Sequence, residues 1–251
     1  MPNPSHRLPA ELGEFSEGLI RAREAVQIAA TLKHPLSQIF ADLAQGYLLW
    51  WKGDLEEAIG PLEHALMLCR TSDTPVLFPP IASVLGSSYA VSGRLQEAIV
   101  LLERAVEATT AMRVVAGSSL ILGQLGHVYL VAGREDDAAK VTGHAVELAR
   151  QRGERGWEAS SLRILADVHA QRAAPEVEPA EDTYRQAIAI AEELGMRPLL
   201  GRCHLGLGAL SRRRGRWPAA REHLTVAVTL FREMEMGAWA RRASAELETL
   251  A

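Results

Sequence analysis

The chain has 251 residues, of which 48% are hydrophobic, 23% charged and 5% aromatic, the balance of a folded globular protein and not of a disordered one. Lys and Arg number 27 against 31 Asp and Glu, a net charge of −4, which excludes a generally basic nucleic-acid-coating protein, so no nucleic-acid partner is expected. Two cysteines, Cys69 and Cys203, are too few for a disulfide framework and fit a reducing, cytoplasmic setting.

The opening segment, MPNPSHRLPAELGEF, has no apolar core of signal-peptide type. Gly13, Gly18 and Ala25 then begin a frame of small residues that recurs along the chain. Too few residues precede Gly13 for a partner helix, so the helix predicted over roughly 16–32 belongs to a half-repeat, 1–35, with one face uncovered. Downstream, Gly53, Gly93 and Gly133 stand 40 residues apart. Each is preceded at seven residues by a glycine (Gly46, Gly86, Gly126). Each is followed at five by an alanine (Ala58, Ala98, Ala138), and seven later by another (Ala65, Ala105, Ala145). Gly208, Gly215, Ala220 and Ala227 restore the frame near the C-terminus. Between them, Ala166, Ala180, Tyr184 and Ala187 mark an irregular unit lengthened by two residues within QRAAPEVEPAED. The pattern predicts full repeats at about 36–75, 76–115, 116–155, 156–197 and 198–235 in a single array. A capping helix follows over 236–251, with Trp239, Ala243, Leu247 and Leu250 inward and Arg241, Arg242, Glu246 and Glu248 outward.

Each unit reads as two helices. In the second full unit Ile81, Leu85 and Tyr89 form one stripe ending at Gly93, and Leu95, Ala98, Leu102 and Ala105 form the next, both at helical spacing. Glycine inside a helix costs about 1 kcal/mol relative to alanine, so its return at one register predicts close helix–helix contact there. These small residues therefore build the fold and are poor candidates for chemistry. Thr74–Gly93 and Val114–Gly133 are free of charge, but the second carries four glycines, two serines, Gln124 and His127, and no membrane span is expected.

Gly86, Tyr89, Gly93, Ala98, Leu102 and Ala105, and again Gly126, Tyr129, Gly133, Ala138 and Ala145, resemble the tetratricopeptide repeat signature in order. The period of 40 departs from the usual 34 and implies longer helices. The resemblance implies an all-α, right-handed superhelix of about five helical hairpins. The last two units, from EPAEDTYRQAIAIAEELGMRPLLGRCHLGLGALSRRRGR onward, look like the C-terminal repeat region of large bacterial signalling proteins. In those, a class III nucleotide cyclase or an ATP-binding regulatory domain precedes the repeats. That likeness implies a non-catalytic regulatory region excised from, or akin to part of, such a protein.

In this fold the first helix of each unit lines a concave groove. Carried over position by position, the groove of the first full unit is Phe40, Leu43, Tyr47, Trp50 and Trp51. Later units contribute His127, Arg163, Asp167, Arg202, Arg212 and Arg213. The N-terminal groove is thus aromatic and apolar and the C-terminal one arginine-rich, which suits a protein or peptide segment with an apolar and an acidic end. Packing of Trp50 and Trp51 against a neighbouring helix is the alternative. Leu43 and Tyr47 replace the Lys/Arg and Asn of the chaperone-tail clamp, so that mode of binding is not carried over. Two further uses remain open: a ligand sensor that changes curvature on binding, and a homodimer through the N-terminal half-repeat.

Chemistry has no comparable signal. The histidines are scattered, from His6 to His223, with no HExxH and no paired CxxC, so no metal and no cofactor is expected. Neither GxSxG nor GxxxxGK[ST] occurs, and no catalytic residue is nominated. The run Arg212, Arg213, Arg214 and Arg216 reads either as an anion site or as a solvated helix C-terminus complementing the dipole.

Overall fold

The computed structural model describes residues 8–113, 117–172 and 176–250. Part of the expected two-residue insert, 173–175, lies outside them, as does His6. Among the described residues there are thirteen α-helices and no strand. First come α1 (Pro9–Leu12) and α2 (Phe15–Leu32). Then come the pairs α3 (Pro35–Lys52) with α4 (Leu55–Thr71), α5 (Phe78–Val91) with α6 (Leu95–Ala111), and α7 (Ser118–Val131) with α8 (Glu135–Arg152). The pairs α9 (Arg155–Gln171) with α10 (Val177–Leu194) and α11 (Arg197–Arg213) with α12 (Trp217–Glu233) follow, and α13 (Gly237–Glu248) ends the array. Most of these helices run 17 or 18 residues, longer than a 34-residue repeat would hold.

The recurring glycine does what its spacing predicts. A Cβ added at Gly46 would lie 2.5 Å from Leu62, one at Gly86 2.8 Å from Leu102, and one at Gly208 2.6 Å from Leu224. In each pair the bulky side chain of the second helix presses onto the bare backbone of the first, and Ala58, Ala98, Ala138, Ala65, Ala105 and Ala145 are all fully buried around that contact. First-helix ends close at Gly13, Gly53, Gly93, Gly133 and Gly215, each with positive φ. The second junction of each unit uses the same left-handed conformation at Lys33, Asp73, Arg113, Gly153, Gly195 and Glu235. The acidic residues Glu56, Glu57, Glu97, Glu135, Asp136 and Asp137 occupy first turns, where the helix dipole favours them.

The array closes on itself. Gly13, after α1, lies against Met234 and Pro198 at the other end of the chain, and Ser16 Oγ donates to Glu235 at 3.0 Å. Trp239 of α13 covers Gly53, and Arg202 of α11 donates to the Trp51 carbonyl at 3.0 Å. The superhelix is therefore a ring whose first-helix layer surrounds a central hollow. Two outward assignments on the capping helix change as a result: Arg242 and Glu246 line the hollow, because α13 sits across the seam between the two ends. One face of α2 is exposed. Ala25 is exposed where its counterparts in the other units are buried, and Ile20, Ile28 and Leu32 are 56%, 59% and 64% exposed. Among the described residues no helix is long and apolar enough to cross a membrane.

Candidate ligand cavity

The hollow encloses a cavity of about 390 Å³. Its inner wall comes from the middle turns of the first helices: Ser87, Gln124, His127, Arg163, Arg202 and Leu205. Its mouth lies where those helices end, at Val91, Val131, Gln171 and Arg213, and α13 closes one side with Trp239, Arg242 and Glu246. Val91 and Val131 are 59% and 48% exposed, so the mouth is open to solvent.

Arg202 dominates the inner wall. Its guanidinium carbon is 4.6 Å from the Trp239 ring centroid, 5.2 Å from Trp51 and 5.6 Å from Trp50. Such stacking suits a planar, weakly hydrated cation. Burial, and then repulsion from Arg163 among its neighbours, pull its pKa down to about 9, so it remains charged at neutral pH. Arg163 pairs with Asp167, which also accepts from the Tyr184 hydroxyl, and burial holds that phenol well above its ordinary pKa. His127 is held neutral, its pKa pushed to about 3 by burial and by the surrounding arginines Arg163, Arg202 and Arg242. Ser87 donates to Gln124 at 2.8 Å on the opposite wall. Cys203, next to Arg202 on α11, is fully buried with its thiol pushed up to about 12 by that burial, an inert packing residue.

Of the residues projected onto the groove, Trp50, His127, Arg163, Asp167, Arg202 and Arg213 line this cavity. The others do not. Trp51 is 1% exposed and lies in the seam beneath Arg202 and Trp239. Tyr47 donates to Glu11 at 3.2 Å and stacks on Trp50 at 5.9 Å. Leu43 is partly buried against the core, and Phe40 is 52% exposed outside the cavity. Arg212 binds Glu246 at 2.9 Å. The aromatic N-terminal end and the arginine-rich C-terminal end, expected far apart along a groove, are in contact. Ring closure uses most of the N-terminal aromatics as packing. The basic run divides likewise: Arg212 goes to Glu246, Arg213 to the Ala170 carbonyl at 2.9 Å, and Arg216 to Glu181.

Ser87, at the groove-facing position of the second unit, lines the cavity as its register implies, whereas nothing in the sequence marks Gln124 or Tyr184 as cavity residues. Trp239 is expected from the sequence to point inward only as packing. Gln124 stands on a first helix, Tyr184 on a second helix and Trp239 on the cap, and those positions carry no information about which faces meet when the array closes. Among the described residues no group of three or more His, Cys, Asp or Glu could hold a metal ion. His204 and His223 meet at 3.0 Å between α11 and α12, without a third such residue.

No protein-family model and no curated protein matches the sequence. Solved structures do match. BtubC (BKLC) from P. vanneervenii has a TM-score of 0.61 and 19% identity, over 88% of this chain and 92% of that one. A signal transduction ATPase with numerous domains (STAND) from Pyrococcus horikoshii, described as having a tetratricopeptide repeat sensor, has a TM-score of 0.61 and 17% identity. That match covers 91% of this chain and 36% of the ATPase. With glycine-spaced antiparallel helix pairs stacked through its described residues, the chain has the all-α superhelical fold of tetratricopeptide repeat proteins.

Proposed function

We propose that this chain is a non-catalytic recognition module whose ligand enters the central cavity, and that it serves as the regulatory region of a bacterial signalling protein. The observation that carries this reading is the meeting of the two ends of the array around an open-mouthed cavity, with Arg202 and Trp239 bridging to Trp51 and Gly53. A molecule bound there touches both ends at once. Contacts made only in the closed ring favour the closed ring, which converts occupancy into a change of shape. The volume suits one small molecule or the end of a peptide, in the range of ordinary ligand sites, more than a segment lying along an open groove. The likeness of fold to an ATPase described as having a tetratricopeptide repeat sensor supports the same reading.

The test is thermal unfolding against a library of metabolites and short peptides, with small-angle scattering on any hit. A ligand at about 100 times its Kd contributes roughly 2.7 kcal/mol, a rise in Tm of about 5–10 °C for a chain of this size. A hit that raises Tm and lowers the radius of gyration is the expected outcome. Absence of any stabilising compound, with an unchanged profile throughout, overturns the reading. Light scattering on the same samples addresses a second use of the fold, self-association through the exposed Ile20, Ile28 and Leu32 face. A dimer that Ile28→Glu disperses assigns that face to a second copy of the chain, and a monomer removes the assignment.

A further inference from the structure

We propose that the cavity is a carboxylate site for a small organic acid with a flat apolar body: Arg202 takes the carboxylate, and Trp50 and Trp239 flank the body. The proposal rests on the reading of the cavity as the ligand site and names its ligand class.

The argument begins with charge. Four arginines line the cavity, Arg163, Arg202, Arg213 and Arg242, against two carboxylates, Asp167 and Glu246. Both carboxylates are already engaged, Asp167 by Arg163 and Tyr184, and Glu246 by Arg212. Among the described residues Arg202, Arg213 and Arg242 have no carboxylate partner. Arg213 donates to a neutral carbonyl, and Arg242 lies at the mouth 5.6 Å from the Trp239 ring. The cavity therefore holds surplus positive charge in a chain whose net charge is −4.

Arg202 is the focus of that surplus. Its only acceptor among the described residues is the Trp51 carbonyl, and its Nε is buried with no partner. Arg163 Nε is buried and unpartnered in the same way. Buried polar groups in folded proteins are ordinarily satisfied, and an unpaired guanidinium out of bulk water is costly unless an anion completes it. The depressed pKa of Arg202 reports that cost.

The surroundings narrow the anion. Guanidinium matches a carboxylate as a two-pronged fork. Besides these charges the cavity is lined by Trp50, Trp239, Leu130, Leu205 and Ala209, which suit an apolar body and would be left uncovered by a phosphate. His127 is neutral, so it offers a hydrogen bond without a second positive charge. An acid with a flat apolar body uses both the guanidinium fork and the apolar walls, whereas a phosphate uses the charge alone.

Titration calorimetry on the whole chain tests it, using phenylacetate and cyclohexylacetate beside their neutral amides, inorganic phosphate, and a tetrapeptide ending in Phe with its C-terminus free or amidated. The acids should bind at least tenfold more tightly than the amides. Arg202→Gln should remove at least tenfold of that affinity. Because Arg202 also holds the seam, Arg242→Gln at the exposed mouth provides a second variant, expected to weaken acid binding two- to fivefold without altering the far-UV spectrum. Amides binding as tightly as acids, or phosphate binding more tightly than either, overturns the carboxylate assignment while leaving the cavity reading intact. Preference for the free-ended peptide over the small acids keeps the carboxylate and overturns the small-molecule source. If no acid binds while the wider library yields a neutral ligand, the assignment falls alone; if nothing binds at all, both readings fall.

Discussion

Tyr89 and Tyr129 illustrate how single side chains tie one unit to the next. Tyr89 donates to Glu63 of the preceding unit at 2.6 Å, while Arg94 stacks on its ring at 3.6 Å and binds the same carboxylate at 2.8 Å. Tyr129, Glu103 and Arg134 repeat the arrangement, with the tyrosine bond at 2.7 Å and the stack at 4.0 Å. Burial and the neighbouring carboxylate push both phenols to about 12, so they remain donors at any ordinary pH. His169 stands at this position in the fourth unit and bonds Glu176 instead, a packing role. The His204–His223 pair behaves differently under acid. Burial, then the neighbouring His223, lowers His204 to about 4, and burial lowers His223 as well. A histidine whose folded pKa lies below its unfolded value near 6.5 takes up its proton more readily in the unfolded chain. Stability is then full above pH 6.5 and falls as the pH drops toward 4. Urea unfolding at pH 7 and pH 4.5 should show a smaller acid loss in His204→Gln than in the parent chain; equal losses would remove the pair from the account.

Between elements, the decisive contact is the bare glycine backbone under a bulky side chain. Gly46→Ala places a methyl 2.5 Å from Leu62, so overpacking of about 1–3 kcal/mol exceeds the roughly 1 kcal/mol gained in helix propensity. The net expectation is a loss of up to about 2 kcal/mol in chemical denaturation. Gly143→Ala in α8 meets nothing within 4 Å and should instead stabilise by about 0.5–1 kcal/mol. A loss at Gly143 equal to that at Gly46 would mean that glycine at the first register is not set by close packing. This register was legible in the sequence because a steric demand at one contact recurs with the repeat. The second junction was less legible. Lys33, Asp73, Arg113 and Glu235 adopt positive φ without a glycine to announce it, and only Gly153 and Gly195 carry the sign. There the surrounding turn imposes the conformation on whichever residue occupies it.

For the whole molecule, the consequential feature is the seam. In an open array each unit leans only on its neighbours, and the ends are the weakest parts. Here the ends support each other through Trp239 over Gly53, Arg202 on Trp51 and Gly13 against Met234. Trp239 is partly buried, so Trp239→Ala should cost about 2–3 kcal/mol, below the 3–5 typical of a fully buried tryptophan. It should also lower amide protection in α1, α3 and α11 together and raise the radius of gyration. Loss of protection confined to α13, with unchanged dimensions, would show that the ring does not depend on this seam.

Taken alone, the sequence determined the helix pairs, their period and the glycine-to-bulky contacts between partners, because each of these is a local demand repeated at a readable spacing. Closure of the ring was decided only in three dimensions. It depends on small rotations accumulated from unit to unit, and no one residue encodes their sum. Trp51 and Arg202 are separated by 151 residues and meet only because the array turns through a full circuit. That meeting consumes Trp51 in packing, turns Arg242 and Glu246 toward the interior, and converts the expected groove into an open-mouthed cavity with surplus positive charge.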